Sequence, residues 1–524
     1  MIGRWVTQAA NTTIATLYAG ELRRLLAIRD LRHAQQDLLH EIVSRNAGSE
    51  FGRHHRFGVM RSLADFREAV PLSTWDDYDP AIRRIAAGEP GVLTCERVRL
   101  FEPSSGSAAP SKLVPYTSGL RQQFQRGVKS WFSDLFQTYP GLARGRSYWS
   151  ITPVGPHPET GGIDSVVPIG FEEDADYLGP VAKRLLGSVL AVSSEVASLT
   201  DIDEFFDATC QQLLAARDLS LVSIWNPTLF TIILDRMRSR ADVLLGHLTP
   251  RRRRELAGPL ADGDFAAVWP QLQVISCWAD ASAAAPAREL AARFPDVVIQ
   301  PKGLLATEGF VSVPLEAAGG AVLSARSHFF EFLVLDPTDP SAEPTEIVTA
   351  DELEPDRRYA VVLTTAGGLY RYRLGDVVEV TGYHGALPVL RYVGRLDRVS
   401  DLVGEKLNEA FVAQILEELD LNAVVLVARS DHYEAHGVSA EQAGSIEARL
   451  RRNYHYDYAR RLGQLGPLVA RPNHPFDDWS RLEHRSRGSR LGDVKPTVLV
   501  MRSIGPGASG SVAAPTATLL PGDN

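Results

Sequence analysis

A chain of 524 residues is too long for one ordinary hydrophobic core, so two or more domains are expected. Its 44% hydrophobic and 23% charged residues are the balance of a soluble globular protein, not of a fibrous or disordered one. A formal net charge of −9 argues against a chain-wide polyanion binder, and Cys95, Cys210 and Cys277 lie too far apart for a disulfide framework or a zinc ribbon.

At the N-terminus, Asn11, Thr12 and Thr13 stand where a signal peptide needs an apolar core. Residues 1–90 read as helical: "ELRRLLAIRDLRHAQQDLLHEIVSR" puts Leu22, Leu25, Leu26, Ile28 and Leu31 at helical spacing. From 91 to 115 short strands take over, with "RVRL" and "LVPY" bracketing the small, polar "FEPSSGSAAPSK". The stretch "TSGLRQQFQRGVKSWFSDLFQTY" is then a helix capped by Thr117 or Ser118. Between 180 and 300, helix and strand patterns alternate, which favours α/β layering. Here "VSIWN", "QVISCWA" and "VVIQPKG" are expected to be short buried strands. The longest apolar run, "LVSIWNPTLFTIILDRM", is broken by Asn226 and Pro227, so it reads as a strand and a helix start rather than a membrane span. A cytoplasmic protein is expected. "RRRR" at 251–254 reads as a solvated face between helices. Residues 321–400 are strand-rich. After Asp397 a smaller unit runs to about residue 502, and the tail "SIGPGASGSVAAPTATLLPGDN" has too little to bury.

Four stretches carry candidate chemistry. "SSGSAAPSK" fails as a Walker loop, because Ser111 replaces the second Gly and Leu113 the magnesium-binding hydroxyl. Ser104, Ser105, Gly106 and Ser107 still suit a nest of N–H groups around phosphate, although on this stretch alone a plain hairpin loop is the commoner reading. In "LLATEGF", Thr307 and Glu308 follow an apolar run, and a lone carboxylate there suits magnesium shared with phosphates. In "TTAGGLYRYRLGDVVEV", Gly367 and Gly368 make a hairpin turn, Arg371 and Arg373 share one strand face, and Asp376 is placed to accept from ribose hydroxyls. In "GRLDRVSDLVGEKLNEA", Gly394 and Asp397 fall at a hinge position and Lys406 lies beyond it. The aromatic stripe Trp131, Phe132, Leu135 and Phe136 reads either as core or as the wall of a pocket for an aromatic acid. "DHYEAH" offers His432 and His436 at a helical metal spacing, with no third ligand evident.

In order, these stretches resemble the motifs of the auxin-responsive Gretchen Hagen family of acyl acid–amido synthetases, within the firefly-luciferase-type adenylate-forming superfamily. "SSGS…SK" looks like the first ATP motif, "ATEG" the second, and "TTAGGLYRYRLGDVVEVTGY" the third and most specific; "FFEFLVLDP", "GQLGPLVARP", "HPFDDW" and "GDVKPT" follow the family's order. The resemblance implies an α/β fold: a large N-terminal adenylate-forming domain (1–394) with a β-barrel and mixed sheets packed by helices, a small mobile α+β domain (395–502), and a disordered tail (503–524). It implies ATP and Mg²⁺ as cofactors and a carboxylic acid and an amine, an amino acid, as substrates of a monomer, with no nucleic acid or membrane partner. Ser104 to Ser107 would enclose the phosphates. Thr307 and Glu308 would meet the α-phosphate and the metal. Asp376 and Arg395 would bind ribose, and Lys406 and Lys495 would be the catalytic lysines with Glu308. Trp131, Phe132 and Leu135 would line the acid pocket. An acyl-CoA or acyl-carrier ligase, or a nucleotide-binding protein without catalysis, remain the alternative readings. The chain departs from the family pattern in "SAAPSK", where relatives carry Thr and a Gly-rich continuation.

Overall fold

A computed structural model describes the chain except for residues 1, 104–111, 150–164, 170–187, 200, 281–282, 336–343, 345, 397–398, 409–411, 413–414, 417, 422–423, 473–498 and 501–524. The chain opens, as its periodicity predicts, with helices: α1 (Ile2–Leu26), α2 (Leu31–Asn46), α3 (Glu50–His54), α4 (Leu63–Ala69) and α5 (Trp75–Ala86). Asn11, polar in the middle of α1, is buried and donates to the carbonyls of Ala143 and Gly145 at 3.2 and 3.0 Å. Strands β1 (Leu100–Pro103) and β2 (Leu113–Tyr116) pair antiparallel, with Pro103 opposite Leu113. β1 therefore starts on the last residue of "RVRL". Helix α6 (Ser118–Thr138) follows; Thr117 caps it, accepting the Leu120 N–H at 3.1 Å.

A parallel sheet comes next, in the order β3 (Arg146–Trp149), β4 (Leu219–Ser223), β5 (Val274–Cys277), β6 (Val298–Pro301). Crossover helices α7 (Ile202–Ala215), α8 (Pro227–Ser239), α9 (Ala241–Gly246), α10 (Pro250–Asp262), α11 (Phe265–Val268) and α12 (Ala284–Arg293) give the expected α/β layering. The apolar run around Pro227 resolves as predicted. Asn226 caps α8, and Pro227 takes its first position, where a missing N–H costs nothing. The "RRRR" reading needs correction. These residues lie inside α10, and its phase turns Arg252 inward. There Arg252 donates to the carbonyls of Leu214 and Val268 at 2.9 Å each, closing the ends of α7 and α11.

A short hairpin, β7 (Leu305–Ala306) and β8 (Gly309–Phe310), leads into a seven-stranded antiparallel sheet. Its strands are β9 (Ser312–Leu315), β10 (Gly320–Leu323), β11 (Phe329–Val334), β12 (Ile347–Thr349), β13 (Arg358–Thr364), β14 (Tyr372–His384) and β15 (Leu387–Arg395), ordered β12-β11-β13-β14-β15-β10-β9. One hydrophobic cluster joins this sheet to α1, α5 and α6, and a second surrounds the parallel sheet. A small ladder pairs β16 (Val399–Ser400) with β17 (Leu407–Asn408). A last sheet runs β20 (Val469–Arg471), β19 (Tyr433–His436), β18 (Val425–Ala428), β21 (Leu499–Val500), beside α13 (Ala440–Leu450) and α14 (Tyr454–Arg461), and has its own cluster.

Candidate functional site

Thr307 and Glu308 are the two-residue tip of the β7–β8 hairpin, in which Leu305 faces Phe310 and Ala306 faces Gly309. The tip is fastened at both ends. Tyr116, the last residue of β2, donates its hydroxyl to the Thr307 carbonyl at 3.0 Å. His328 accepts the Phe310 N–H at Nε2 (3.0 Å), and its Nδ1 lies 3.1 Å from Gln123 Oε1. A neutral ring that accepts at Nε2 carries its proton on Nδ1, so His328 donates to Gln123. Burial, aided by the Arg126 charge, holds the imidazole down at about 3, which keeps it neutral. The same Gln123 oxygen accepts the Ala366 N–H at 2.9 Å, and Thr117 donates to the Ala366 carbonyl at 3.0 Å. Thus α6 ties the hairpin tip to the Gly367–Gly368 turn. That turn is where the glycines place it, with Gly368 at φ +100 and the β-carbon position of Gly367 only 2.7 Å from Leu120.

Glu308 is buried, yet its carboxylate has no hydrogen-bond or ion-pair partner among the described residues. Among those residues no group of three or more His, Cys, Asp or Glu could hold a metal ion. One carboxylate with no protein partner fits magnesium, which keeps phosphate oxygens and water as its other ligands.

Asp376, in β14, is buried and lies directly opposite Arg395 in the β14–β15 ladder. The two proposed ribose contacts are therefore cross-strand neighbours, though 19 positions apart in sequence. Arg371 has another role. β14 begins only at Tyr372, and Arg371 precedes it at φ +49, so it does not share a strand face with Arg373. It is buried against Glu331 at 2.9 Å and donates to the Val70 carbonyl at 2.8 Å, while Arg67 reaches the same carboxylate at 2.8 Å.

Lys406 follows a self-braced loop. Asp401 accepts the Gly404 N–H at 2.7 Å, and Glu405 accepts the N–H groups of Leu402 and Val403, each at 2.8 Å. The Tyr433 hydroxyl hydrogen-bonds Glu405 and lies 2.6 Å from Ser400 Oγ. Burial and the neighbouring Asp401 charge push the Glu405 carboxyl up to about 7. Lys406 itself is at φ +44, and burial together with its charge holds His455 of α14 down at about 4. The loop meets the rest of the protein through Asn226, which donates to the Val403 carbonyl at 2.9 Å.

Ser104, Ser105, Gly106, Ser107, Asp397, Lys495 and the tail lie outside the described residues, as does the Arg395 side chain. Trp131, Phe132 and Leu135 are buried in the main cluster, and Phe132 stacks on Phe136 at 4.4 Å. "DHYEAH" is a correction: its last four residues, Tyr433–His436, are strand β19, not helix. Glu434 there is gripped by Arg429, Arg471 and His436. Sequence reasoning missed Tyr116, Gln123 and His328. No motif marks them, because they act by reaching across from other elements.

The arrangement of a parallel sheet, an antiparallel sheet and a small α+β unit is the fold of a solved acyl acid amido synthetase, GH3.15 bound to 2,4-DB. That structure overlays with a TM-score of 0.64 at 20% identity, covering 92% of this chain and 94% of that one. Residues 24–251 match the GH3 family N-terminal domain and residues 321–395 the GH3 family central domain, together more than half of the chain. The chain belongs to the GH3 family. Its relatives include indole-3-acetic acid-amido synthetase GH3.8 of Oryza sativa subsp. indica, 26% identical over 430 residues, which span 73% of this chain and 69% of the relative. Indole-3-acetic acid-amido synthetase GH3.2 of Arabidopsis thaliana is 23% identical over 439 residues, spanning 73% and 77%.

Proposed function

We propose that this protein is an ATP-dependent acyl acid–amido synthetase, which activates a carboxylic acid as its acyl-adenylate and passes the acyl group to an amine, an amino acid. The observation that carries the reading is Glu308: a buried carboxylate with no partner among the described residues, on a clamped tip, in a chain of the GH3 family. In the first step a carboxylate oxygen attacks the α-phosphorus of ATP, a P–O bond forms, and pyrophosphate leaves. Charge spreads over the phosphate oxygens, so positioning and positive potential count for more than a protein nucleophile. Mg²⁺, held by Glu308, would supply charge neutralisation there. Thr307 and the stretch Ser104–Ser107 would hold the phosphates, Asp376 and Arg395 the ribose, and Lys406 the α-phosphate, with Lys495 as a second lysine. In the second step the amine attacks the acyl carbonyl, the C–O bond to AMP breaks, and the amine gives up a proton.

The reading includes a large unit over 1–394, a mobile unit over 395–502 that brings Lys406 to the nucleotide, and a cytoplasmic monomer. Among the described residues no helix is long and apolar enough to cross a membrane. The test is acid-dependent exchange of labelled pyrophosphate into ATP across a broad acid panel, followed by mass spectrometry of products formed with amino acids or with coenzyme A. Exchange followed by an amide is expected. A thioester product would shift the acceptor class, and no exchange with any acid would sink adenylation.

A further inference from the structure

Helix α1 is packed on one side and bare on the other. Ala10, Ile14, Tyr18, Leu22 and Leu25 enter the main hydrophobic cluster, and Asn11 is tied to the carbonyls of Ala143 and Gly145. The helix is therefore fixed, and its outer side faces solvent. Such a side is ordinarily charged. Here the stretch from Trp5 to Gly20, about 22 Å of helix, has no Asp, Glu, Lys, Arg or His, in a chain of which 23% is charged. Its outer side instead shows Trp5, Val6 and Leu17, which are 73%, 50% and 58% exposed. The match to the GH3 N-terminal domain begins at residue 24, so this stretch lies ahead of it.

The polar residues between them do little to make this side hydrophilic. Thr13 donates its hydroxyl to the Ala9 carbonyl at 2.8 Å, and Thr16 to the Thr12 carbonyl at 2.7 Å. Satisfied within their own helix, these hydroxyls require no polar neighbour. A groove of about 560 Å³ runs from Trp5 to Leu17, with Ala9, Thr12, Thr13 and Thr16 between them. No described atom lies within 4 Å of where a β-carbon on Gly20 would stand, so the space over that glycine is open.

An uncharged face gives no hold to a phosphate, an acidic peptide or a charged headgroup. It does suit a second helix of the same kind. When two copies of α1 run antiparallel about a two-fold axis between Thr12 and Thr13, the helical phase puts Trp5 over Gly20 of the second copy. Ala9 then meets Thr16, and Leu17 lies beside Val6. The bulkiest residue of the stretch thus falls on its one open position, and the same patch serves both copies, as a closed pair requires. Small residues at the crossing let the two axes approach to about 8 Å. Arg23 and Arg24 are outside the overlapped stretch, so no like charges are brought together. The two patches together would cover roughly 1,000 Å², close to the smallest area that sustains a specific contact.

We propose that the outer side of α1 is a self-association surface, through which two copies of this chain pair weakly and antiparallel. The inference does not rest on the synthetase reading, and the monomer in that reading is the dilute state.

The test is sedimentation equilibrium of the full chain from about 1 to about 200 µM, a range that brackets weak association. The mass should rise from the 57.4 kDa of one chain toward twice that value, with a dissociation constant on the order of 10 µM for so small an interface. Trp5→Ala, which removes the knob, and Gly20→Leu, which fills its hole, should each weaken pairing about tenfold or more. Gly20→Leu should melt no lower than wild type, because leucine favours a helix over glycine, so its loss of pairing is separable from unfolding. Ala9→Glu and Thr16→Arg should each weaken pairing about tenfold by burying a charge against a neutral side chain. Combined, they should return it to within about threefold of wild type, because the new carboxylate of one copy meets the new guanidinium of the other. A chain that stays at 57.4 kDa throughout overturns the proposal. If that chain floats with phosphatidylcholine–phosphatidylglycerol vesicles and Trp5→Ala abolishes the flotation, the face belongs to lipid instead. Pairing that survives Gly20→Leu, or a double variant no better than either single one, also overturns the antiparallel contact.

Discussion

The two charged groups assigned to adenylation are held in opposite ways. Glu308 sits on a hairpin tip whose neighbours are fixed from β2, from α6 and from the seven-stranded sheet by Tyr116, Gln123 and His328. Lys406 follows a loop that braces itself with its own Asp401 and Glu405, and it meets the larger part of the molecule through a polar bond from Asn226. One is held by the core; the other is held by its own loop. On the reading proposed above, a carboxylate that holds a metal must be rigid to keep its geometry, and a lysine brought in by a mobile unit needs a stiff loop.

The sharpest test of this contrast removes each charge. Glu308→Ala should slow pyrophosphate exchange by about a thousandfold and Lys406→Ala by about a hundredfold, magnitudes usual for lost charge stabilisation. Glu308→Ala should melt within a few degrees of wild type, because the Glu308 carboxylate has no partner among the described residues. Near-normal exchange in either variant would remove that residue from the site.

Loosening the clamp comes next. His328→Leu leaves the Phe310 N–H and Gln123 short of a buried partner, which costs about 1–3 kcal/mol. We expect a lower melting temperature and an exchange rate down by about tenfold, the scale of a small misplacement of reacting groups. A stability loss with full activity would mean the hairpin holds itself.

The two regions should also answer pH in opposite senses. His328 is held at about 3, below the ordinary histidine value, so folding favours its neutral form. Its contribution is complete above the unfolded value near 6.5 and is lost as pH falls from there toward 3. Glu405 is raised from 4.5 to about 7, so folding favours its protonated form. Its contribution is complete below 4.5 and is lost as pH rises through 7. Hydrogen exchange should therefore show the Phe310 amide opening on acidification and the Leu402 and Val403 amides opening toward alkaline pH. Glu405→Gln should flatten the second trend only.

The smallest effect concerns the dock. Gln464 donates to Thr228 on α8 at 3.1 Å, close to the Asn226 contact. Gln464→Ala should cost at most about 1 kcal/mol, the net worth of one hydrogen bond. It should leave adenylation intact while raising proteolytic nicking near residue 400. A large loss of exchange would mean the dock is part of the catalytic geometry.

Much of this was legible beforehand. Helical spacing marked the N-terminal helices, short β-rich runs marked the parallel strands, and Gly367–Gly368 marked the turn before β14, because each signal depends only on neighbours in sequence. Thr307 and Glu308 were singled out, but not as a hairpin tip, since two-residue strands leave no periodic pattern. Errors came where partners are remote. "RRRR" looked solvated until the carbonyls of Leu214 and Val268 drew Arg252 inward. Arg371 looked like one of a charged pair until Glu331 buried it.

By itself the sequence determined the order of elements, the turn glycines and which polar residues are too unusual for their apolar surroundings to be filler, because backbone sterics and hydrophobic periodicity are local. Tertiary structure alone decided that Asp376 faces Arg395 and that His328 governs the Glu308 tip. Those relations depend on strand register and on which face of α6 meets the sheet, and both are settled by burial of the whole core rather than by any segment.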